Sequence, residues 1–162
     1  MITIRLLAKK DFDALNKFYL NALEEEHKTL VSKKDIKELL HEYEKDKWIA
    51  YWFKNTDSKA FVAVDEKNIM MGFLAAKYFD SKDSIIFYIT IFPSETRNTL
   101  RDKFIKKLQE EFPDIKDMFI DVYEKDTEEV EFFMSRGFRI WETSTAPVGK
   151  KVLNVHLMQK IF

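Results

Sequence analysis

Eight consecutive residues, Ile85-Ile86-Phe87-Tyr88-Ile89-Thr90-Ile91-Phe92, are all β-branched or aromatic, and Pro93 ends the run. A stretch of that kind reads as a central strand buried on both faces of a sheet. Beyond the proline, Leu100, Phe104, Leu108 and Phe112 recur every four residues as the buried stripe of a helix that must stop before Pro113. Met118-Phe119-Ile120-Asp121-Val122-Tyr123 is the next strand. A strand, a crossover helix and a second strand imply a locally parallel sheet, which restricts the chain to a sheet with helices packed on its faces.

The remaining elements fit around that unit. Ile2, Ile4 and Leu6 alternate with Thr3 and Arg5, the period of a half-buried strand. Asp11 is placed to cap a helix whose apolar face is Leu15, Phe18, Tyr19, Ala22 and Leu23. Ser32 precedes a second stripe, Ile36, Leu39, Leu40 and Tyr43, ending near Asp46, whereas Trp48 to Phe53 has no clear period and reads as short helix or irregular structure. Phe61 to Val64 and Ile69 to Tyr78 flank the polar Asp65-Glu66-Lys67-Asn68 as a hairpin, and Asp80-Ser81-Lys82-Asp83 is a second turn. Asp126 with Glu129 has the form of a capping box ahead of a short helix carrying Val130, Phe133 and Met134 and ended by Gly137. Strands over Phe138 to Thr143 and Val152 to Ile161, joined by a loop with Pro147 and Gly149, complete the order β-α-α-β-β-β-α-β-α-β-β. The expected fold class is α/β with a mixed sheet, in one domain over residues 1–162.

Composition narrows the function. Basic residues number 27 against 28 acidic, a net charge of -1, so no bulk field favours nucleic acid or an anionic membrane. The longest apolar run is less than half of a membrane span, and the N-terminus has no signal-peptide core, so a cytoplasmic protein is expected. No cysteine is present, and His27, His41 and His156 lie far apart, so neither disulfides nor a metal site is expected.

Three stretches carry a resemblance. They are Ile2-Thr3-Ile4-Arg5 with Leu7 and Asp11-Phe12; Ile89-Thr90-Ile91-Phe92-Pro93-Ser94-Glu95-Thr96-Arg97; and Val122-Tyr123-Glu124-Lys125-Asp126 followed by Phe132-Phe133-Met134-Ser135-Arg136-Gly137-Phe138. With the element order, they resemble the GNAT superfamily of acyl-CoA-dependent N-acyltransferases over essentially the whole chain. The resemblance implies a cleft between two parallel strands that splay apart, Ile85 to Phe92 and Met118 to Tyr123. Acetyl-CoA or another acyl-CoA would lie there, its pantetheine beside the main chain of Ile89 and Ile91. Its pyrophosphate would rest at the following helix start, near Arg97, Asn98, Thr99, Arg101 and Asp102, where free amides favour anions. Asp126 and Phe133 occupy the cofactor-side positions of the third motif.

Departures from the family pattern accompany the matches. Leu100 and Asp102 stand where the family has small residues, and Thr99 with Asp102 has the form of a helix cap that would compete with the pyrophosphate. Asp126 replaces an Asn, Phe133 replaces the Tyr that often protonates the leaving thiolate, and Ile85 and Phe87 stand on the face where many relatives carry a glutamate base. The remaining catalytic candidates are Tyr88 and His27. Tyr88 and Thr90 have the opposite parity to Ile89 and Ile91, which reads first as core packing. His27, after Glu24-Glu25-Glu26, reads first as a surface histidine at a solvated helix end, and second as a base near neutral pKa. Tyr123 is placed either to line the cleft or to pack at the sheet edge.

The expected activity is acetyl transfer from acetyl-CoA to a primary amine of a small molecule or protein by direct attack. The alternative is a catalytically weak or inactive binding module on the same scaffold, and a homodimer formed through the aromatics around Trp48 to Phe53 is a third expectation.

Overall fold

The computed structural model describes residues 1–46, 48 and 56–162. Among them the elements are β1 (Thr3–Leu6), α1 (Phe12–His27), α2 (Lys33–Asp46), β2 (Ser58–Val64), β3 (Met70–Phe79), β4 (Ser81–Ile91), α3 (Arg97–Glu111), β5 (Asp117–Tyr123), α4 (Thr127–Ser135), β6 (Arg139–Val148) and β7 (Lys151–Ile161). The order is the expected one. The strands form a mixed sheet, β1-β2-β3-β4-β5-β7-β6, in which β4 and β5 run parallel and all other neighbours antiparallel. The second strand-helix-strand crossing, β5-α4-β6, makes no further parallel pair, because β7 inserts between β5 and β6.

Three local expectations are corrected. β6 continues through Pro147 to Val148, so the supposed loop is hairpin ladder, and Gly149-Lys150 alone turns the chain. The proline is tolerated because β6 is an edge strand. At the second turn, β4 already begins at Ser81, and the reversal is made at Asp80, whose φ is 58°. Aspartate is one of the few residues that takes up this left-handed backbone readily. Asp11 does sit at the start of α1, but its side chain caps nothing there. It turns back to the Ala8 N–H at 2.9 Å and to the Arg5 guanidinium at 2.7 and 2.8 Å, which holds its carboxyl below the usual range.

Helices cover both faces of the sheet's centre, while β6 stays largely exposed. α3 and α4 place Leu100, Phe104, Leu108, Phe132 and Phe133 against Ile85, Phe87, Ile89 and Ile91 of β4. Gly72 of β3 permits this close approach, since a Cβ there would stand 3.0 Å from the Phe104 ring. On the opposite face α1 packs Leu15, Phe18 and Ala22 on Val62, Phe73 and Ala75. Burial of that second face is less complete than the run of apolar residues suggests: Ile86 and Tyr88 remain half-buried, and only Thr90 is fully covered.

Ser32 caps α2, accepting from the Asp35 N–H at 3.2 Å. The Asp35 carboxylate accepts from Lys150 N–H in the β6-β7 turn at 3.1 Å, and Val148 and Leu153 pack on Val31, Ile36 and Leu39. Of the segment Trp48 to Phe53, only Trp48 is described. Its ring lies 3.8 Å from that of Tyr19 and 5.5 Å from that of Phe73. The dimer surface expected there lies otherwise outside the described residues.

Candidate active site

β4 and β5 pair only over Ser84–Ile86 and Asp117–Phe119. Ser84 Oγ donates to the Asp117 carboxylate across this closed end, and Gln159 donates to the same carboxylate at 2.8 Å. Beyond Ile86 the strands diverge. β4 keeps its ladder to β3 as far as Ile91, while β5 keeps its ladder to β7 as far as Tyr123. The facing edges therefore no longer pair with each other, and a cavity of about 90 Å³ opens between Tyr88 and Ile89 on one side and Ile120, Asp121 and Tyr123 on the other. Glu26 and His27 of α1 and Asp126 and Glu129 at the start of α4 close its remaining walls. A neighbouring cavity of about 250 Å³ continues past Pro93 and Arg97 and shares Glu26 and Asp126.

His27 is buried, not exposed at a solvated helix end. Its Nδ1 lies 2.8 Å from the Leu23 carbonyl and its Nε2 lies 3.1 Å from Tyr123 Oη. A carbonyl only accepts, so Nδ1 carries the proton and the Nε2 lone pair accepts from the tyrosine hydroxyl. Burial pushes the imidazole pKa down, against the pull of the Leu23 carbonyl and the Asp126 charge. Tyr123 lines the cleft and also packs against the cluster of Val31, Ile36 and Leu39, so both readings left open for it are met.

Glu26, placed by the sequence first in a solvated acidic helix end, turns out to belong to the cleft. It is half-buried, lines both cavities and makes no hydrogen bond or ion pair among the described residues. Desolvation, with Glu129 and Asp126 nearby, raises its carboxyl to about 8. The signal was available in the spacing. Residues 26 and 27 stand four positions beyond Ala22 and Leu23, so the buried face of α1 runs on through both.

The remaining sequence candidates separate into those at the cleft and those committed elsewhere. Ile89 lines the cavity, and Ile91 is buried one step further along the same strand face. Tyr88 reaches the cavity, but its hydroxyl donates to Tyr19 Oη at 2.8 Å, on the α1 face as its parity required. Arg97 lines the second cavity, and its Nε is buried without a hydrogen-bond partner. Asn98 and Thr99 are exposed on the first turn of α3, whose N-cap Thr96 makes no side-chain cap. Asp126 caps α4, accepting from the Glu129 N–H at 3.1 Å.

Other placements correct the sequence reading. Asp102 is no cap for the α3 start: it forms a two-point ion pair with Arg136 at 3.0 and 2.8 Å, and Thr99 lies inside the helix. Leu100 points into the core, so its size does not obstruct the loop. Arg101 is almost wholly buried, held by Asn98 Oδ1 at 2.9 Å and Glu129 Oε1 at 3.0 Å, with Phe132 beneath it. Glu129 reaches Arg101 instead of closing the capping box. Phe133 is fully buried among Phe87, Phe132 and Phe138.

No protein-family model matches the sequence, and no curated protein matches it. Solved structures do. The PaiA N-acetyltransferase from Thermoplasma acidophilum in complex with coenzyme A superposes with a TM-score of 0.79 at 16% identity, over 100% of this chain and 99% of that one. The spermidine N-acetyltransferase from Vibrio cholerae in complex with CoA and spermine gives 0.70 at 16% identity, over 99% and 95%. The chain has the fold of the GNAT N-acetyltransferases. Among the described residues no helix is long and apolar enough to cross a membrane.

Proposed function

We propose that this chain transfers an acyl group, most simply acetyl, from acyl-CoA to the primary amine of a small molecule or protein by direct attack. The observation that carries the reading is the early end of the β4-β5 ladder, which leaves two strand edges open onto one cavity. An extended pantetheine arm is suited to such an edge, beside Ile89 where the β4-β5 ladder has ended. Arg97, with its unsatisfied Nε, and the uncapped first turn of α3 supply donors for phosphate oxygens at the outer end. The family's usual small residues are absent there, yet neither replacement stands in the way, because Leu100 is in the core and Asp102 is held by Arg136. The coenzyme A complexes of the two related folds support the same choice of co-substrate.

The reaction needs amine and thioester held in register, and such positioning removes much of the barrier before any proton is moved. The outer cavity mixes the cations Arg97 and Lys125 with Glu25, Asp126 and Glu128, so the acceptor is chosen for test from the related folds. Spermidine, the substrate named for one of the related folds, is therefore a suitable first probe. The test is calorimetric titration with acetyl-CoA, followed by thiol release with spermidine and a panel of simpler amines. Saturable heat at one site per chain and amine-dependent thiol release are expected. No heat up to millimolar acetyl-CoA would overturn the transferase reading and leave a binding module on this scaffold.

A further inference from the structure

The acyl-transfer reading leaves one chemical need unmet. The face of β4 where relatives carry a glutamate holds Ile85 and Phe87, both in the core, so the proton released by the attacking amine has no acceptor there. The cavity wall offers another. Tyr123 lines the space beside Ile89, and its Oη donates to Nε2 of His27, whose Nδ1 proton is fixed on the Leu23 carbonyl. Hydrogen bonding at both ring nitrogens locks one tautomer, with the single lone pair directed through the tyrosine toward the cavity.

We propose that His27 is the proton acceptor of the reaction and works through Tyr123, whose hydroxyl touches the attacking amine. This rests on the acyl-transfer reading and adds a mechanism to it. The amine nitrogen forms its bond to the acyl carbon, and the carbon-sulfur bond breaks with its electron pair going to sulfur as thiolate. The surplus proton on nitrogen passes to Tyr123 Oη as the Oη proton passes to Nε2. Amide, thiolate and a His27 imidazolium are left, and the imidazolium then returns its proton to thiolate or water.

The surroundings suit this sequence of charges. Burial holds the imidazole below its ordinary pKa against the Leu23 carbonyl and the Asp126 charge, which favours the neutral ring before reaction. Facing the pair are Glu26 from α1, Tyr88 from β4, Asp121 from β5, and Asp126 and Glu129 from the start of α4. Arg97 and Arg101 lie close enough to both Glu26 and Glu129 to oppose the rise in their carboxyl pKa. A transient imidazolium therefore forms in a wall rich in carboxyl groups, whereas a tyrosinate beside the Nε2 lone pair would meet repulsion. Tyr123 is consequently a relay in this arrangement and not the source of a proton for the thiolate.

Two measurements test the pairing. Nitrogen-15 NMR of His27 in the free protein should find Nδ1 protonated and Nε2 unprotonated, and Tyr123→Phe should raise the imidazole pKa by removing the donor. The opposite tautomer would overturn the proposal whether or not acetyl-CoA binds. In turnover with acetyl-CoA and spermidine, Tyr123→Phe and His27→Gln should each bind acetyl-CoA as the wild type does and lose roughly a hundredfold in kcat. Loss of the acidic limb of the pH profile in His27→Gln, and a double variant no slower than either single one, are expected of residues acting as one unit. Retention of the rate within about twofold, or losses that multiply in the double variant, would refute the relay. A wild type that fails to bind acetyl-CoA would remove the parent reading and this one together.

Discussion

Replacing Glu26 by Gln should stabilise the protein, and the gain should depend on pH in a defined direction. In the fold the Glu26 carboxyl is raised from 4.5 to about 8, chiefly by desolvation and then by Glu129. A group that binds its proton more tightly folded than unfolded contributes stability below its unfolded pKa. That contribution drains away as the pH rises toward the folded value. At about 1.36 kcal/mol for each tenfold change in proton affinity, the penalty approaches about 5 kcal/mol above pH 8 and is about 3 kcal/mol at pH 7. Against a typical domain stability of about 5 to 15 kcal/mol this is a large share, and large standing costs of this kind collect at functional sites. Glu26→Gln keeps the shape and removes the titration. Urea unfolding followed by tryptophan fluorescence from pH 4 to pH 9 should give curves that coincide near the acid end and separate steadily as the pH rises, the variant being the more stable. Parallel curves, or a wild type that gains on the variant toward high pH, would refute the desolvated placement of this carboxyl.

Two further outcomes follow from buried partners. Arg101→Leu should destabilise the fold by about 3 to 5 kcal/mol by leaving Glu129 without its cation, and adding Glu129→Leu should recover much of that loss; a single variant with unchanged midpoint in urea would refute the pairing. Phe133→Tyr, which places the tyrosine of the GNAT pattern in this chain, should lower the melting temperature through a buried hydroxyl lacking a partner, at a cost of about 1 to 3 kcal/mol, with no gain in thiol release; faster thiol release would mean that this position reaches the cleft.

Much of the site's frame was legible because it rests on periodicity. The strand ending at Pro93, the stripe of α3 and the Gly137-Phe138 motif each have a local pattern with one economical solution, and the structure adopts all three. The β6-β7 hairpin was misread for a related reason. Proline ordinarily signals a loop, and only its place at the sheet edge makes it compatible with a strand. Glu26 and His27 were misjudged because acidic and imidazole side chains at a helix end usually face water, although the spacing from Ala22 and Leu23 already set them on the buried face.

Local chemistry along the chain was thus sufficient to determine which segments become strands and helices, and in what order, since hydrophobic period and turn residues act over a few positions. Which side chains meet was decided by tertiary structure alone. Asp102 finds Arg136 34 positions away, and Tyr123 finds His27 96 positions away. Those pairings depend on how far β4 and β5 diverge and on which helix turn arrives over the gap, and both are consequences of packing across the whole sheet.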